Sequence, residues 1–116
     1  MRGNRYEIKS KLFKWQGEAA WYFVRIDEKT SENIKDNFGM MARGWGSLPV
    51  QVTLGESKWR TSIFPDKQSS PKGKGTYLLP IKSQIRKAEK INDGDILDLE
   101  IEIIGDKIEI KPPNLN

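Results

Sequence analysis

Cysteine and histidine are both absent from the 116 residues, and the two absences together remove most of the familiar chemistry. There can be no disulfide framework, no zinc site of the usual structural or catalytic kind, no haem held by imidazole or thiolate, and no nucleophile activated by an imidazole base. What is left is carboxylate, lysine, tyrosine or serine–lysine chemistry, without the side chain that serves most often as general base. The expectation is a protein that is not an enzyme, with no cofactor and no metal. Long apolar runs are missing too. Nothing approaches the roughly 18 residues of a membrane span, and no basic-then-apolar leader opens the chain, so no membrane association is expected and the cytoplasm is the expected compartment.

Charge is present in quantity and unevenly placed. The net charge is +4, divided as +2 over residues 1–57, +7 over 58–90 and −5 over 91–116. A basic middle followed by an acidic end has two readings: an anionic partner for the middle, or two segments that neutralise each other across adjacent strands. The second is the plainer one.

The run Tyr77 to Leu99 reads as strand, helix, tight turn and strand. Tyr77, Leu78 and Leu79 are strand formers, and Pro80 can donate nothing to a ladder. Lys82 to Lys90 has the spacing of a short amphipathic helix with Ile81, Ile85 and Ala88 inward. Asp93 and Gly94 then force a turn, with the Asp93 carboxylate bonded to backbone N–H groups. After it Leu97, Leu99, Ile101 and Ile103 alternate with Asp98, Glu100 and Glu102, one face buried and one wet.

Elsewhere, residues 1–5 are polar and expected to fray. Tyr6 to Phe13 alternates as a first strand, Trp15 to Glu18 turns, and Ala19 to Ile26 is a second strand with apolar residues on both faces. Thr30 or Ser31 can cap a helix through Phe38, with Ile34 and Phe38 on one face and Gly39 as its stop. Leu48 to Leu54 and Ser57 to Phe64 form a hairpin about Gly55 and Glu56, a pair suited to a type II′ turn. A polar Gly-, Lys- and Ser-rich loop follows from Pro65 to Gly75, and Lys107 to Lys111 is a final strand before Pro112 and Pro113. One domain, residues 6–111, is expected, with a tail from 112. Six or seven short strands joined mostly by hairpins, with two short helices at about 30–38 and 82–90, predict a mainly β fold, a small closed or nearly closed barrel.

Several separated motifs match one known pattern. Leu12-Phe13-x-Trp15, Ala20-Trp21-x-Phe23-Val24, Arg43-Gly44-Trp45-Gly46-Ser47-x-Pro49-Val50, Trp59 to Pro65, Tyr77-x-Leu79-Pro80-x-Lys82 with Arg86, and Asp93-Gly94-Asp95 together closely resemble the bacterial domain-of-unknown-function 1905 family, across residues 6–104. The resemblance implies a six-stranded barrel. In some members of that family the domain precedes a second, helical domain of the YdeI or OmpD-associated bacteriocin-protection type; this chain has the look of the stand-alone form. More locally, Leu79-Pro80-x-Lys82 with Arg86 and Lys87, then Ile91-x-x-Gly94-Asp95-x-Leu97, resembles the strand-helix-GD-strand unit of AbrB-like and MazE-like DNA-binding barrels. Those work as interleaved dimers, whereas this chain can supply all its own strands, so a monomer or weak homodimer is expected.

Candidate functional residues come from three places. Trp45, between two glycines, is either a plug sealing one barrel end, which small barrels require, or a platform for a base, sugar or peptide. Arg60, Thr61 and Ser62 with Arg43, Lys82 and Arg86 can surround an anion; the competing reading pairs Arg60 or Arg86 with Asp93, Asp95 or Asp98. Asp93-Gly94-Asp95 lacks the further oxygens of a calcium loop, Gly73-Lys74-Gly75-Thr76 lacks the spacing of a phosphate loop, and nothing brings Ser62 and Lys82 together as a nucleophile and base. The leading expectation is a non-catalytic binding module whose basic, Trp-bearing face, Arg43, Trp45, Arg60, Thr61, Ser62, Lys82 and Arg86, takes an anionic ligand or partner. A structural or protein-interaction domain is the alternative, and AbrB-like nucleic-acid binding the third.

Overall fold

Alternation writes the strands. The computed structural model describes residues 3–15, 21–66 and 75–104. In order, these form β1 (Arg5–Lys14), β2 (Tyr22–Arg25), α1 (Glu28–Phe38), β3 (Leu48–Leu54), β4 (Ser57–Asp66), β5 (Thr76–Pro80), α2 (Ser83–Glu89) and β6 (Ile96–Ile103). The strands close into a six-stranded barrel in the order β1-β2-β5-β4-β3-β6, each neighbouring pair antiparallel. In β6 the residues Leu97, Leu99, Ile101 and Ile103 face the core, and in β3 Leu48, Val50, Val52 and Leu54 do the same. Ile8 and Leu12 of β1, Val24 of β2, Ile63 of β4, and Tyr77 and Leu79 of β5 complete the lining. No helix among the described residues is long and apolar enough to cross a membrane.

Two ten-residue strands hold the barrel together by changing partner along their length. β1 pairs with β6 from Arg5 to Lys11 and with β2 from Leu12 to Lys14. β4 pairs with β3 from Ser57 to Ile63 and with β5 from Phe64 to Asp66. At the β1 switch, the Leu12 N–H donates to Asp95 O and its carbonyl accepts from Gly94 N–H, both at 2.8 Å. Gly94 stands at φ +94° there, a conformation that glycine tolerates without a Cβ penalty. The β3–β4 turn has positive φ at Gly55 and not at Glu56, the φ signs of the type II′ turn expected for it.

The helices cover the barrel as the spacing suggests, with local corrections. α1 is capped three residues before Thr30 and four before Ser31, the two expected caps. Asp27 is its N-cap, accepting the Thr30 N–H at 3.0 Å. Ser31 is instead buried one turn in, where its hydroxyl donates to Ile26 O and accepts the Tyr77 N–H, tying the helix to β2 and β5. Ile34 is fully buried with Phe38 packed beside it. Gly39 closes the helix in right-handed conformation and the chain runs on into a 3-10 turn, Gly39–Met41, rather than stopping. On α2, Ile85 is buried as expected, with Ile81 just before it, but Ala88 is exposed, because seven residues present only one inward turn.

β1 starts at Arg5, opposite Glu102, and β4 runs on through Pro65 and Asp66, which pair with Tyr77 and Thr76. The expected cover on both faces of β2 is present on one only: Val24 and Ile26 are buried, whereas Trp21 is 56% exposed on the outside. Residues 16–18 of the expected turn, the first two residues of the expected second strand, Ala19 and Ala20, the loop residues 67–74 and the expected last strand, Lys107 to Lys111, lie outside the described residues.

The assignment of faces makes a direct prediction. Ile101→Ala on the inner face of β6 should cost about 2–5 kcal/mol, while Ile96→Ala on its outer face should change stability by no more than about 0.5 kcal/mol. Urea unfolding of both measures the contrast, and equal losses would mean the register is wrong. A second prediction concerns pH. Burial alone would raise the Asp27 carboxyl, but hydrogen bonds from the Thr30 backbone and side chain and from the Asp27 and Lys29 backbone outweigh it and hold the group below its ordinary value. A folded value below the unfolded one means that the stabilisation is complete above the ordinary carboxylate range and is lost as pH falls through the folded value. Asp27→Ala should therefore destabilise by about 0.5–2 kcal/mol at pH 7, with the gap to wild type narrowing in thermal melts at pH 3.

Candidate functional site

The wall of the barrel opens at one place, and a proline explains why. The β4–β5 ladder consists of Phe64 opposite Leu78, Pro65 opposite Tyr77 and Asp66 opposite Thr76. Odd-numbered β5 positions turn their backbone groups toward β2: Tyr77 O accepts from Ile26 N–H, and Ile81 N–H donates to Tyr22 O, both at 2.9 Å. Even-numbered positions therefore face β4. The rung after Leu78 falls to Pro80, which has no N–H to give. Beyond it the two strands separate.

The gap is a cleft of about 420 Å³. β4 lines it with Trp59, Arg60 and Thr61, the entry to β2 with Trp21 and Tyr22, and the β5–α2 junction with Pro80, Ile81, Lys82, Ser83 and Arg86. Four of the residues expected at an anion site, Arg60, Thr61, Lys82 and Arg86, thus meet in one cavity. Arg86 is held in position: its guanidinium carbon lies 3.8 Å from the Tyr22 ring centroid, and its Nε donates to Ile81 O at 3.2 Å. Its two Nη groups have no hydrogen-bond partner among the described residues. No carboxylate is among the described residues that line the cavity.

The acids that might have paired with these cations are placed elsewhere. β6, which carries Asp98, Glu100 and Glu102, has β1 and β3 as neighbours. Its carboxylates meet Arg5, whose guanidinium is 3.8 Å from both Glu100 and Glu102, and Lys9 stands opposite Asp98. Asp95, not Asp93, closes its own turn by accepting the Asn92 N–H at 2.8 Å. Among the described residues Arg60, Lys82 and Arg86 make no salt bridge. Among the described residues, the strand order does not place the acids of β6 beside β4 or β5, as the plainer reading of the charge pattern required.

Three expected site residues stand apart. Ser62 lies opposite Pro49 in the β3–β4 ladder and does not line the cleft, so it forms no pair with Lys82. Arg43 and Trp45 belong to the connection between α1 and β3, on a 3-10 turn, Gly44–Gly46. Trp45 plugs nothing: it is 93% exposed. It borders a different cleft of about 220 Å³ that also includes Ser31, Lys35, Gly46, Pro65 and Tyr77. Gly46, at φ +76°, lies so close to Pro65 that a Cβ there would fall 2.9 Å from Pro65 Cγ. No group of acids among the described residues is placed to hold a metal ion.

Trp21, Tyr22, Trp59 and Ser83 line the cleft without having been expected there. Trp59 could have been found as the neighbour of Arg60 beyond the ladder's end, and Ser83 as the neighbour of Lys82. The meeting of Tyr22 with Arg86 had no signal in sequence, since it depends on β2 and β5 being adjacent.

A family model described as a domain of unknown function (DUF1905) matches residues 9–101. No curated protein matches the chain. The chain belongs to the DUF1905 family, and the six-stranded barrel that the resemblance implied is the fold it adopts.

Trp45 supplies the prediction here. Its φ of +66° puts a bulky side chain in the left-handed region, at a cost of about 1–3 kcal/mol, while the exposed ring recovers almost nothing by burial. Trp45→Gly should leave stability unchanged or raise it by up to about 1 kcal/mol. A drop in the urea midpoint would show that the indole supports the fold after all.

Proposed function

We propose that this DUF1905 barrel is a non-catalytic module that binds an anion in the cleft between β4 and the β5–α2 junction. The observation that carries the reading is the convergence of Arg60, Lys82 and Arg86 on one cavity with no acid among its described lining residues. Three cations facing a shared space repel one another, and a bound anion relieves that repulsion while accepting charge-assisted hydrogen bonds. Arg60 and Arg86 offer planar forks suited to phosphate or carboxylate, Lys82 a mobile point charge, and Thr61 and Ser83 hydroxyl donors. The aromatic walls, Trp21, Tyr22 and Trp59, give the rest of a ligand an apolar surface. A protein-interaction role, the alternative, draws its support from a separate feature, the nearly full exposure of Trp45 and Met40.

Trp21 and Trp59 in the lining make the test simple. Titration with inorganic tripolyphosphate should change tryptophan emission saturably, with affinity falling as salt is raised. Arg60→Gln and Arg86→Gln should each weaken binding about tenfold or more, the loss expected for a hydrogen bond to a charged group, and Lys35→Gln, on the other cleft, should not. Equal losses in all three variants, or no saturable change at any salt, would sink the proposal.

A further inference from the structure

We infer that the anion is single-stranded nucleic acid, its phosphates in the cation cleft and its bases laid on an aromatic face next to it; this rests on the anion-site reading above. The face lies on the outside of the barrel. Phe13 and Phe23 stand opposite each other across β1 and β2, and Trp15 N–H donates to Trp21 O where that ladder ends. Phe23 is at the centre of the cluster, its ring centroid 6.2 Å from Phe13, 5.6 Å from Trp15 and 6.1 Å from Trp21. Trp21 lies within 12° of parallel to it and Trp15 meets it edge-on at 75°. Phe64 and Leu78, from the last β4–β5 rung, complete an apolar groove of about 440 Å³ with no charged side chain among its described lining residues.

Two observations tie this groove to the cleft. Trp21 lines both, so aromatic surface and cations form one continuous strip. And Trp15, Trp21 and Phe64 remain 41%, 56% and 39% exposed, so much of their ring surface is left for a partner. Beside the groove, Lys11 follows the same outward alternation as Phe13 on β1, while the Arg25 guanidinium, 5.4 Å from the Phe13 ring centroid, is paired with Asp66.

A strip with π faces at one end and, at the other, cations without an ion pair among the described residues is complementary to a chain in which flat bases alternate with phosphates. Both cavities are open along the barrel wall, which suits a strand crossing it; an acyl chain lying in an open groove would keep much of its surface in water. A duplex presents phosphates but keeps its bases stacked inside, whereas a single strand presents both.

The test uses the full chain and four probes: a decathymidylate, an abasic oligomer with the same phosphates, a duplex of equal length, and inorganic tripolyphosphate. The decathymidylate should bind at least about tenfold tighter than the abasic oligomer, as stacking of one or more bases requires. Trp15→Ala and Phe64→Ala, both outside the cleft lining, should weaken decathymidylate binding about fivefold or more and leave tripolyphosphate binding unchanged, while Arg60→Gln weakens both. If tripolyphosphate binds but the abasic oligomer or the duplex matches the decathymidylate, the nucleic-acid inference is overturned and the anion site stands. If neither tripolyphosphate nor the decathymidylate binds, both readings fall.

Discussion

Closure of the barrel depends on β1 and β4 each serving two partners in succession. In this six-stranded antiparallel wall the two ten-residue strands leave one neighbour before they reach the other. The arrangement divides the wall into a long-laddered half, β1-β6-β3-β4, and a short-laddered half through β2 and β5. Seven paired positions join β1 to β6 and seven join β3 to β4, against three between β4 and β5. The weaker half is where Pro80 withholds a donor, so the place at which the wall parts is set by one residue that cannot take part in a ladder. The cleft is a consequence of how the barrel closes.

Strand order also decides which charges meet. Along the chain the basic segment and the acidic one are consecutive, and consecutive elements are commonly neighbours in space. In this barrel β6 returns to the first strand, so its acids are placed beside Arg5 and Lys9. The exposed pairs that result contribute little stability, of the order of 0–1 kcal/mol each. Their larger effect is to keep β6 from neutralising Arg60, Lys82 and Arg86, which sit across β4 and the β5–α2 junction.

What could be read from the sequence divides along the same line. Period-two alternation identifies which residues of a strand share a face, and it placed Leu97, Leu99, Ile101 and Ile103 inside and Arg60 and Ser62 together. It carries no information on which strands are adjacent, and so it joined Arg43 and Trp45 to an anion site from which the fold separates them. The α1 cap was missed for a related reason. Thr30 and Ser31 have good capping chemistry, but Asp27 does too, and the choice was made by Ser31 being needed between Ile26 and Tyr77, a contact between segments far apart in sequence. Ala88 failed because helical spacing continues on paper after the helix has run out of barrel to cover. Pro80 was the legible part of the site: its inability to donate was plain, and only the direction of the missing bond had to wait for the structure.

The cleft departs from what stability alone would select. A single carboxylate at Thr61 or Ser83 would neutralise part of the charge facing it, and the barrel already uses that device in the Arg25–Asp66 pair, 2.8 Å apart on the same side of the wall. Arg86 shows that the position of a cation there is controlled, because the Tyr22 ring and the Ile81 carbonyl fix its guanidinium while leaving its outer nitrogens unused. Fixing a charged group in advance lowers the cost of binding, since less side-chain freedom is lost when the ligand arrives. A local arrangement that gives up stability and at the same time restrains its own donors is the pattern expected of a binding site. Trp45, strained and exposed on the other connection, shares the first property and lacks the second. That difference favours the cleft over the tryptophan as the place for the anion proposed above.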